Sequence, residues 1–198
     1  MKDCQIGILI GKLLSGKMID SFSHGQIGSK LWLCEQLEPH IKNNATVAIL
    51  GSWINVLGFM LLTRQPYKYS HIKGIDLDIE AVNTANQICN YWYINGIQHS
   101  VQDNANTVSL QGFDVVINCS SEHMEGSDWF DNISSGTLVC IQSSNVTDTT
   151  DPWFVKNPSH SIDEFLSKYP LSEIIFSETL PITYENWGYD RYMIIGIK

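Results

Sequence analysis

The sequence predicts an α/β protein with a doubly wound sheet of about seven mostly parallel strands, helices on both faces and an antiparallel last strand. Short apolar runs alternate with segments of helical spacing over residues 46–142, a pattern typical of parallel strands joined by helical crossovers. The last two apolar runs are separated by only about ten residues, 181–190, which is too few for such a crossover and indicates a hairpin.

The first predicted helix begins near Ser23 and precedes the sheet. Its apolar residues recur at spacings of three and four, which places them on one helical face. Pro39 and the pair Asn43-Asn44 mark its end. We therefore expect a single domain, residues 1–198, made of an N-terminal helical segment, 1–44, and an α/β core, 45–198. The apolar residues of this helix are Ile27, Leu31, Cys34, Leu37 and Ile41.

Seven apolar runs bounded by polar or turn-forming residues are the predicted strands. The first is short and partly β-branched, as in a strand that is buried on both faces. The runs are 46–50, 71–75, 97–102, 113–118, 136–142, 173–180 and 191–197.

Three further helices are predicted between these strands. The first covers residues 55–64, and the second follows Asp78, whose side chain is expected to cap its first turn. The third covers residues 162–168 and is opened by Ser161 or Asp163.

Composition and charge narrow the class of protein. A net charge of −9 disfavours binding along a nucleic-acid backbone, although a local basic patch stays open. The longest apolar stretch, 47–62, is interrupted by glycine and polar residues, so no membrane span is predicted. Five cysteines without a Cys-x-x-Cys spacing indicate neither a disulfide framework nor a metal site. Because no export signal is convincing, we expect a cytoplasmic protein.

Candidate ligand-binding residues follow the predicted strands, because ligands bind at the carboxyl ends of the strands in an open parallel sheet. Gly51 allows a ligand close to the backbone, and the next helix offers free N–H groups. Asp76 is placed to accept ribose hydroxyls, and Asp103 and Asn104 to bind an adenine edge. The sequence therefore predicts a nucleoside-containing cofactor between Gly51 and Asp76. Taken singly, each residue also fits a simple turn or a helix cap.

The segment 118–124 is the candidate active site, because polar side chains follow a buried strand there. Asn118 is predicted to orient a substrate, and Glu122 or His123 to remove a proton from a nucleophile. The same residues suit the start of a capped helix, which is the alternative interpretation. Cys119 is a weaker candidate nucleophile, since nothing in the sequence indicates a lowered thiol pKa.

These segments resemble the motifs of the class I methyltransferases that use S-adenosylmethionine, over roughly residues 23–198. The family has a Rossmann-like sheet of seven strands whose last strand is antiparallel and inserted by a hairpin. The matching segments are 47–55 for the glycine-rich first motif, 74–78 for the ribose-binding second, 102–105 for the adenine-side third, 113–120 for the fourth and 192–198 for the closing strand.

The resemblance implies that S-adenosylmethionine is the cofactor. The first motif departs from the family pattern, which keeps two or three glycines and an acidic residue, so the backbone approach to the cofactor is expected to differ. Trp53 is expected either beside the methionine part of the cofactor or in the core. The implied cofactor-binding residues are Gly51, Ser52, Trp53, Asn55, Asp76, Leu77, Asp103, Asn104, Asn118 and Cys119.

The predicted function is methyl transfer from S-adenosylmethionine to an oxygen or nitrogen nucleophile of a small molecule or protein. Three alternatives stay open: transfer of the aminocarboxypropyl group, a noncatalytic cofactor-binding module, and an NAD-dependent oxidoreductase. The last is disfavoured because the sequence lacks Gly-x-Gly-x-x-Gly. The acceptor and the oligomeric state stay open. Further candidates near the cofactor or acceptor are His24, Gln26, Lys30, Trp129, Trp153 and Trp187.

Overall fold

The computed structural model of the chain describes residue 11 and residues 16–148 and 154–198. Its α-helices are α1 (His24–Leu37), α2 (Val56–Arg64), α3 (Ile79–Tyr91), α4 (Asp128–Asp131) and α5 (Ile162–Lys168). Its strands are β1 (Ala45–Leu50), β2 (Tyr69–Asp76), β3 (Gln98–Gln102), β4 (Val115–Asn118), β5 (Leu138–Ser144), β6 (Glu173–Thr183) and β7 (Gly188–Ile197).

The strands form one seven-stranded sheet in the order β3-β2-β1-β4-β5-β7-β6. The pairs among β1 to β5 are parallel, whereas β7 is antiparallel to both β5 and β6. The predicted fold class and terminal hairpin are therefore confirmed. The strand order reverses between β1 and β4, and in sheets of this kind the crevice at such a reversal is the usual ligand site.

Each face of the sheet carries its own apolar core, as expected for a doubly wound sheet. One core includes Leu33 of α1 and Leu61 of α2. The other includes Trp129 of α4 and Phe165 of α5. The helices thus cover both faces, and the polar ends of the strands remain at one edge, where a site can form.

Side-chain caps start the main helices where the sequence predicts them. The Ser23 hydroxyl accepts a hydrogen bond from the backbone N–H of Gln26 at the start of α1. Asp78 accepts from two N–H groups of α3, and Ser161 accepts from one of α5. These oxygens satisfy N–H groups that otherwise lack an intrahelical partner. Asp78 is thus confirmed as a cap, and Ser161 rather than Asp163 opens α5.

The buried face of α1 includes Cys34 and Leu37 of the predicted stripe but not Leu31. Leu31 is 39% exposed, while Gly25 and Ser29 are buried. Small residues are required there because the hairpin and β5 approach closely. A Cβ at Gly25 would lie 2.5 Å from the Tyr189 hydroxyl oxygen, and the Gln142 amide donates to the Ser29 carbonyl at 3.0 Å.

Four of the five cysteines lie in the described part of the chain. Cys34, Cys89, Cys119 and Cys140 are free thiols. Cys4, the first ten residues and Trp153 lie outside the described residues. Over the described ranges, no helix is both long and apolar enough to cross a membrane.

Candidate functional site

The turn after β1 packs directly against the loop after β4. Gly51 has a left-handed backbone with φ of 59°, a conformation that favours glycine. A Cβ at this position would lie 2.7 Å from the Ser120 Cβ. The Ser120 hydroxyl also donates to the Gly51 carbonyl at 3.2 Å. The structure thus brings the predicted first and fourth segments together at the reversal of strand order.

Trp53 and Asn55 of the same turn also have left-handed backbones, with φ of 50° and 55°. Such conformations cost about 1–2 kcal/mol for residues other than glycine, so surrounding contacts must hold them. The Trp53 N–H donates to the Asp76 Oδ2 at 2.6 Å. The Asn55 side chain accepts from the Gly58 N–H at 3.2 Å and donates to the Ser100 hydroxyl at 3.2 Å. Hydrogen bonds therefore hold Trp53 and Asn55 in a backbone conformation that glycine adopts more readily.

Asp76 links the turn to the end of β2. Its Oδ2 accepts from the Trp53 N–H, and its Oδ1 accepts from the Asp78 N–H at 2.9 Å. An ionised carboxylate offers about four acceptor positions, so about two stay available for a hydroxyl-bearing ligand. The neighbouring Leu77 is 67% exposed. An apolar surface therefore lies beside the carboxylate, at the position predicted to contact a nucleoside.

Ser52 is buried beneath the same turn. Its N–H donates to the Ile75 carbonyl at 3.1 Å, and its hydroxyl oxygen has no hydrogen-bond partner among the described residues. The space is tight, because a Cβ on Gly74 would lie 2.7 Å from this oxygen. Ser52 thus joins the turn to β2 through its backbone N–H.

The predicted adenine-side residues follow β3 at the edge of the site. The Asp103 N–H donates to the Asp76 carbonyl at 3.0 Å, which holds the ends of β2 and β3 together. Both Asp103 and Asn104 are exposed. Their side-chain oxygens accept from the N–H groups of Asn104 and Asn106 respectively, at 2.8 and 3.0 Å. A role of these two residues in binding adenine stays a prediction. Asp103 lies next to Asp76 at the carboxyl end of the sheet.

Asn118, at the end of β4, is fully buried. Its amide nitrogen contacts the Met124 sulfur at 3.2 Å, and its oxygen accepts from the Ser120 N–H at 3.0 Å. The side chain therefore stabilises the loop 118–124. A substrate-orienting role stays a prediction and requires that this loop rearrange.

Glu122 is buried and paired with a residue that sequence reasoning missed. Its Oε1 lies 2.6 Å from the Arg191 Nη1, and the two side chains are 3% and 7% exposed. The Ser144 hydroxyl donates to the same oxygen at 3.4 Å. His123 is 42% exposed, with its Nε2 4.0 Å from the Glu122 carboxylate. Arg191 stands at the head of an otherwise apolar run, and a charge in a buried strand generally requires a partner.

Two further ionisable groups lie close to this pair. Burial raises the pKa of the Cys119 thiol to about 11, so the structure offers no activated thiolate there. Burial lowers the pKa of the Lys30 ammonium to about 8. The Lys30 Nζ donates to the Gln26 Oε1 at 2.5 Å, so these two side chains of α1 contact each other.

The candidate tryptophans occupy different environments. Trp129 is fully buried in one core and does not line a surface site. Trp187 is 48% exposed and stacks on Tyr184 with centroids 4.5 Å apart. The Tyr184 hydroxyl accepts from the Gly25 N–H at 3.1 Å. The turn between β6 and β7 therefore contacts the start of α1.

No family model and no curated protein matches the sequence. The fold, in contrast, matches solved methyltransferases. A putative sarcosine dimethylglycine methyltransferase from Galdieria sulphuraria is 8% identical with a TM-score of 0.67, covering 87% of this chain and 86% of that one. A geranyl diphosphate C-methyltransferase from Streptomyces coelicolor A3(2), solved with Mg²⁺, geranyl diphosphate and S-adenosyl-L-homocysteine, is 12% identical with a TM-score of 0.66, covering 87% and 80%.

A coclaurine N-methyltransferase bound to N-methylheliamine and S-adenosylhomocysteine is 11% identical, with a TM-score of 0.65 and coverage of 87% and 72%. At these identities the likeness concerns the fold. The chain therefore has the fold of the class I methyltransferases that use S-adenosylmethionine.

Proposed function

We propose that this protein binds S-adenosylmethionine at the carboxyl ends of β1 to β4 and transfers its methyl group to an oxygen or nitrogen nucleophile of a small molecule or protein. The observation that carries the proposal is the hydrogen bond from the Trp53 N–H to Asp76. This bond joins the turn after β1 to the acidic end of β2, and the turn lacks the glycine pattern that binds phosphates. The fold is shared with methyltransferases. A cofactor without phosphates suits such a turn better than a dinucleotide.

The residues at this edge fit the cofactor's chemical groups. Asp76 retains acceptor positions for ribose hydroxyls, and the exposed Leu77 offers an apolar contact for adenine. Asp103 and Asn104 lie at the adenine side, and the backbone of Gly51 and Ser52 borders the methionine side. S-adenosylmethionine supplies a methyl group that its sulfonium makes electrophilic. The chain's part is to hold the nucleophile in line and to take its proton.

Calorimetric titration with S-adenosylhomocysteine and with NAD tests the cofactor. We expect S-adenosylhomocysteine to bind, and Asp76→Ala to weaken its binding by at least about 1 kcal/mol because charge-assisted hydrogen bonds are lost. Asp78→Asn is the matched control: it removes a charge at the same edge but keeps a good helix cap, so affinity should not change. Binding of NAD without binding of S-adenosylhomocysteine would contradict the proposal.

A noncatalytic cofactor-binding module is the second candidate. It is favoured by one observation, namely that the carboxylate of Glu122 and the amide of Asn118 are already engaged within the protein. Screening S-adenosylmethionine with pools of small molecules and peptides, and measuring S-adenosylhomocysteine release, separates the two. Analysis of the products also distinguishes methyl from aminocarboxypropyl transfer. Binding with no turnover of any pool would support the module.

A further inference from the structure

Asn106, in the loop after β3, is hydrogen-bonded to three different segments. Its N–H donates to the Asn104 Oδ1 at 3.0 Å. Its side-chain oxygen accepts from the Trp129 N–H of α4 at 3.1 Å, and its side-chain nitrogen donates to the Glu125 carbonyl at 3.2 Å. Its own carbonyl accepts from the Asn132 side chain at 2.8 Å. Every polar group of Asn106 therefore has a partner.

An amide side chain suits this position because it offers an acceptor and a donor at the same time. The acceptor of Asn106 holds the backbone of α4, and the donor holds the backbone at the end of the candidate active site. Asn106 is only half-buried, so its role is not to fill a core. Its side chain joins two loops, which we name the β3 loop (residues 103–108) and the β4 loop (residues 118–125).

The β4 loop also packs against the turn after β1. The Ser120 hydroxyl donates to the Gly51 carbonyl at 3.2 Å. A Cβ on Gly51 would lie 3.3 Å from the Met124 Cε, and the Met124 sulfur contacts the Asn118 amide nitrogen at 3.2 Å. Met124 directly precedes Glu125. The β4 loop is therefore attached both to the Gly51 turn and, through Glu125, to the β3 loop.

Both attachments lead back to Asp76 at the end of β2. The turn after β1 donates to the Asp76 carboxylate through the Trp53 N–H at 2.6 Å. The β3 loop donates to the Asp76 carbonyl through the Asp103 N–H at 3.0 Å. The segments that follow β1, β2, β3 and β4 thus form a closed ring of contacts at the proposed cofactor site. The Asn106 side chain closes this ring between the β3 loop and the β4 loop.

We propose that Asn106 is a positioning residue that transmits cofactor binding to the β4 loop. The inference rests on the proposed methyltransferase function. A nucleoside bound at Asp103 and Asn104 restrains the β3 loop, and the Asn106 side chain passes this restraint to the backbone at Glu125. The β4 loop is then ordered for the acceptor only when the cofactor is present. Because a misplacement of about 1 Å can slow a reaction about 100-fold, this ordering has a large effect on the rate.

Amide exchange followed by nuclear magnetic resonance tests the coupling in the unsubstituted protein without any acceptor. We expect S-adenosylhomocysteine to slow exchange in the β3 loop and also at the N–H groups of His123 and Met124, which bond to carbonyls of the β4 loop itself. With the ligand at about 100 times its dissociation constant, exchange of a fully coupled amide slows by up to about 100-fold. We expect at least about fivefold slowing at His123 and Met124.

The variant Asn106→Asp separates this coupling from direct contact with the ligand. A carboxylate still accepts from the Trp129 N–H, but it offers no donor to the Glu125 carbonyl. The ligand should then slow exchange only in the β3 loop, with an affinity within about threefold of the unsubstituted protein. Asn132→Asp is the matched control, because it adds the same charge and removes a bond to the Asn106 carbonyl. It keeps the Asn106 side chain and should retain slowed exchange in both loops.

Turnover gives a second measurement, which distinguishes positioning from a purely structural role. With an acceptor found in the screen, Asn106→Asp should lower kcat at least about tenfold. The KM for S-adenosylmethionine should change by less than about threefold, because the contacts to the nucleoside remain. Asn132→Asp should leave both constants within about twofold of the unsubstituted protein. An unchanged kcat in Asn106→Asp would overturn the proposal.

The outcomes separate this inference from the function on which it rests. If calorimetry detects no binding of S-adenosylhomocysteine, the proposed function fails and the inference fails with it. If the ligand binds but slows exchange only in the β3 loop of the unsubstituted protein, the inference alone is overturned. Equal slowing of both loops in Asn106→Asp also overturns it. The measurement on the unsubstituted protein needs no variant, so it decides the question even if Asn106→Asp does not fold.

Discussion

Breaking the ion pair between Glu122 and Arg191 should strongly destabilise the fold. The atoms Oε1 and Nη1 are 2.6 Å apart and both side chains are nearly inaccessible. Charges about 4 Å apart attract by about 4 kcal/mol at an effective dielectric constant of 20, but burial removes hydration of similar magnitude. The net value of the pair is therefore small. A single substitution, in contrast, leaves one charge buried and unpaired, at a cost of about 3–5 kcal/mol.

The lower end of this range is expected, because the pair is incompletely hydrogen-bonded. Glu122 Oε2 and Arg191 Nε are buried without a hydrogen-bond partner among the described residues. We predict a loss of about 3 kcal/mol for Glu122→Gln or Arg191→Met. For a chain of this length, that corresponds to a melting temperature lower by roughly 6–12 °C.

Urea unfolding of the two single variants and the double variant forms the assay. The double variant should cost clearly less than the sum of the single variants, since neither charge is left alone. Lys156→Ala, which breaks the exposed ion pair with Glu125, is the matched control and should leave the unfolding midpoint unchanged. Strict additivity, or a loss below about 1 kcal/mol in both single variants, would refute the reasoning. Normal stability of Glu122→Gln with turnover abolished would instead support Glu122 as a base.

Three further substitutions test the Gly51 turn, helix α1 and the ion pair between Lys42 and Asp114. Gly51→Ala should reduce stability by at least about 1–2 kcal/mol and weaken S-adenosylhomocysteine binding, because alanine disfavours the left-handed backbone and its Cβ would meet Ser120. Gly28→Ala, in helix α1 with open space around its Cα, should instead stabilise by about 0.5–1 kcal/mol; equal urea midpoints for the two variants would contradict this. Lys42 and the backbone N–H of Thr46 hold the pKa of Asp114 below its usual value. A lowered pKa in the folded state adds stability above the unfolded pKa of about 3.9, and this contribution is lost as the pH falls through the folded value. Asp114→Asn should therefore cost about 1 kcal/mol at pH 7 and less at pH 3; an equal loss in urea titrations at both pH values would count against this assignment.

The order of elements could be predicted from the sequence because it depends on local signals. The run from Ile162 to Lys168 shows helical spacing, and the helix has those bounds in the structure. The interval 181–190 is too short for a crossover, and the structure has a hairpin there, with strands that extend further into the interval. Periodicity, caps and loop length each require only a few neighbouring residues.

The contacts within the site could not be predicted in the same way, because they join distant residues. Glu122 and Arg191 are 69 positions apart, and nothing near Glu122 in the sequence indicates its partner. Similarly, the N–H group that binds Asp76 belongs to Trp53, whose left-handed backbone is not evident from its residue type. Leu31 was wrongly assigned to the buried face of α1, because apolar spacing favours leucine there, whereas close approach of the hairpin requires Gly25.

The hydrogen bonds of Asn55 have a consequence for the order in which the protein folds. Its side chain donates to Ser100 of β3, and the Gln98 amide of the same strand donates to the Asn55 carbonyl. The strained turn is therefore complete only after the edge strand has joined the sheet, more than forty residues later in the chain. A ligand that requires the formed turn should in return slow amide exchange throughout β3, because it shifts the local opening equilibrium toward the closed edge.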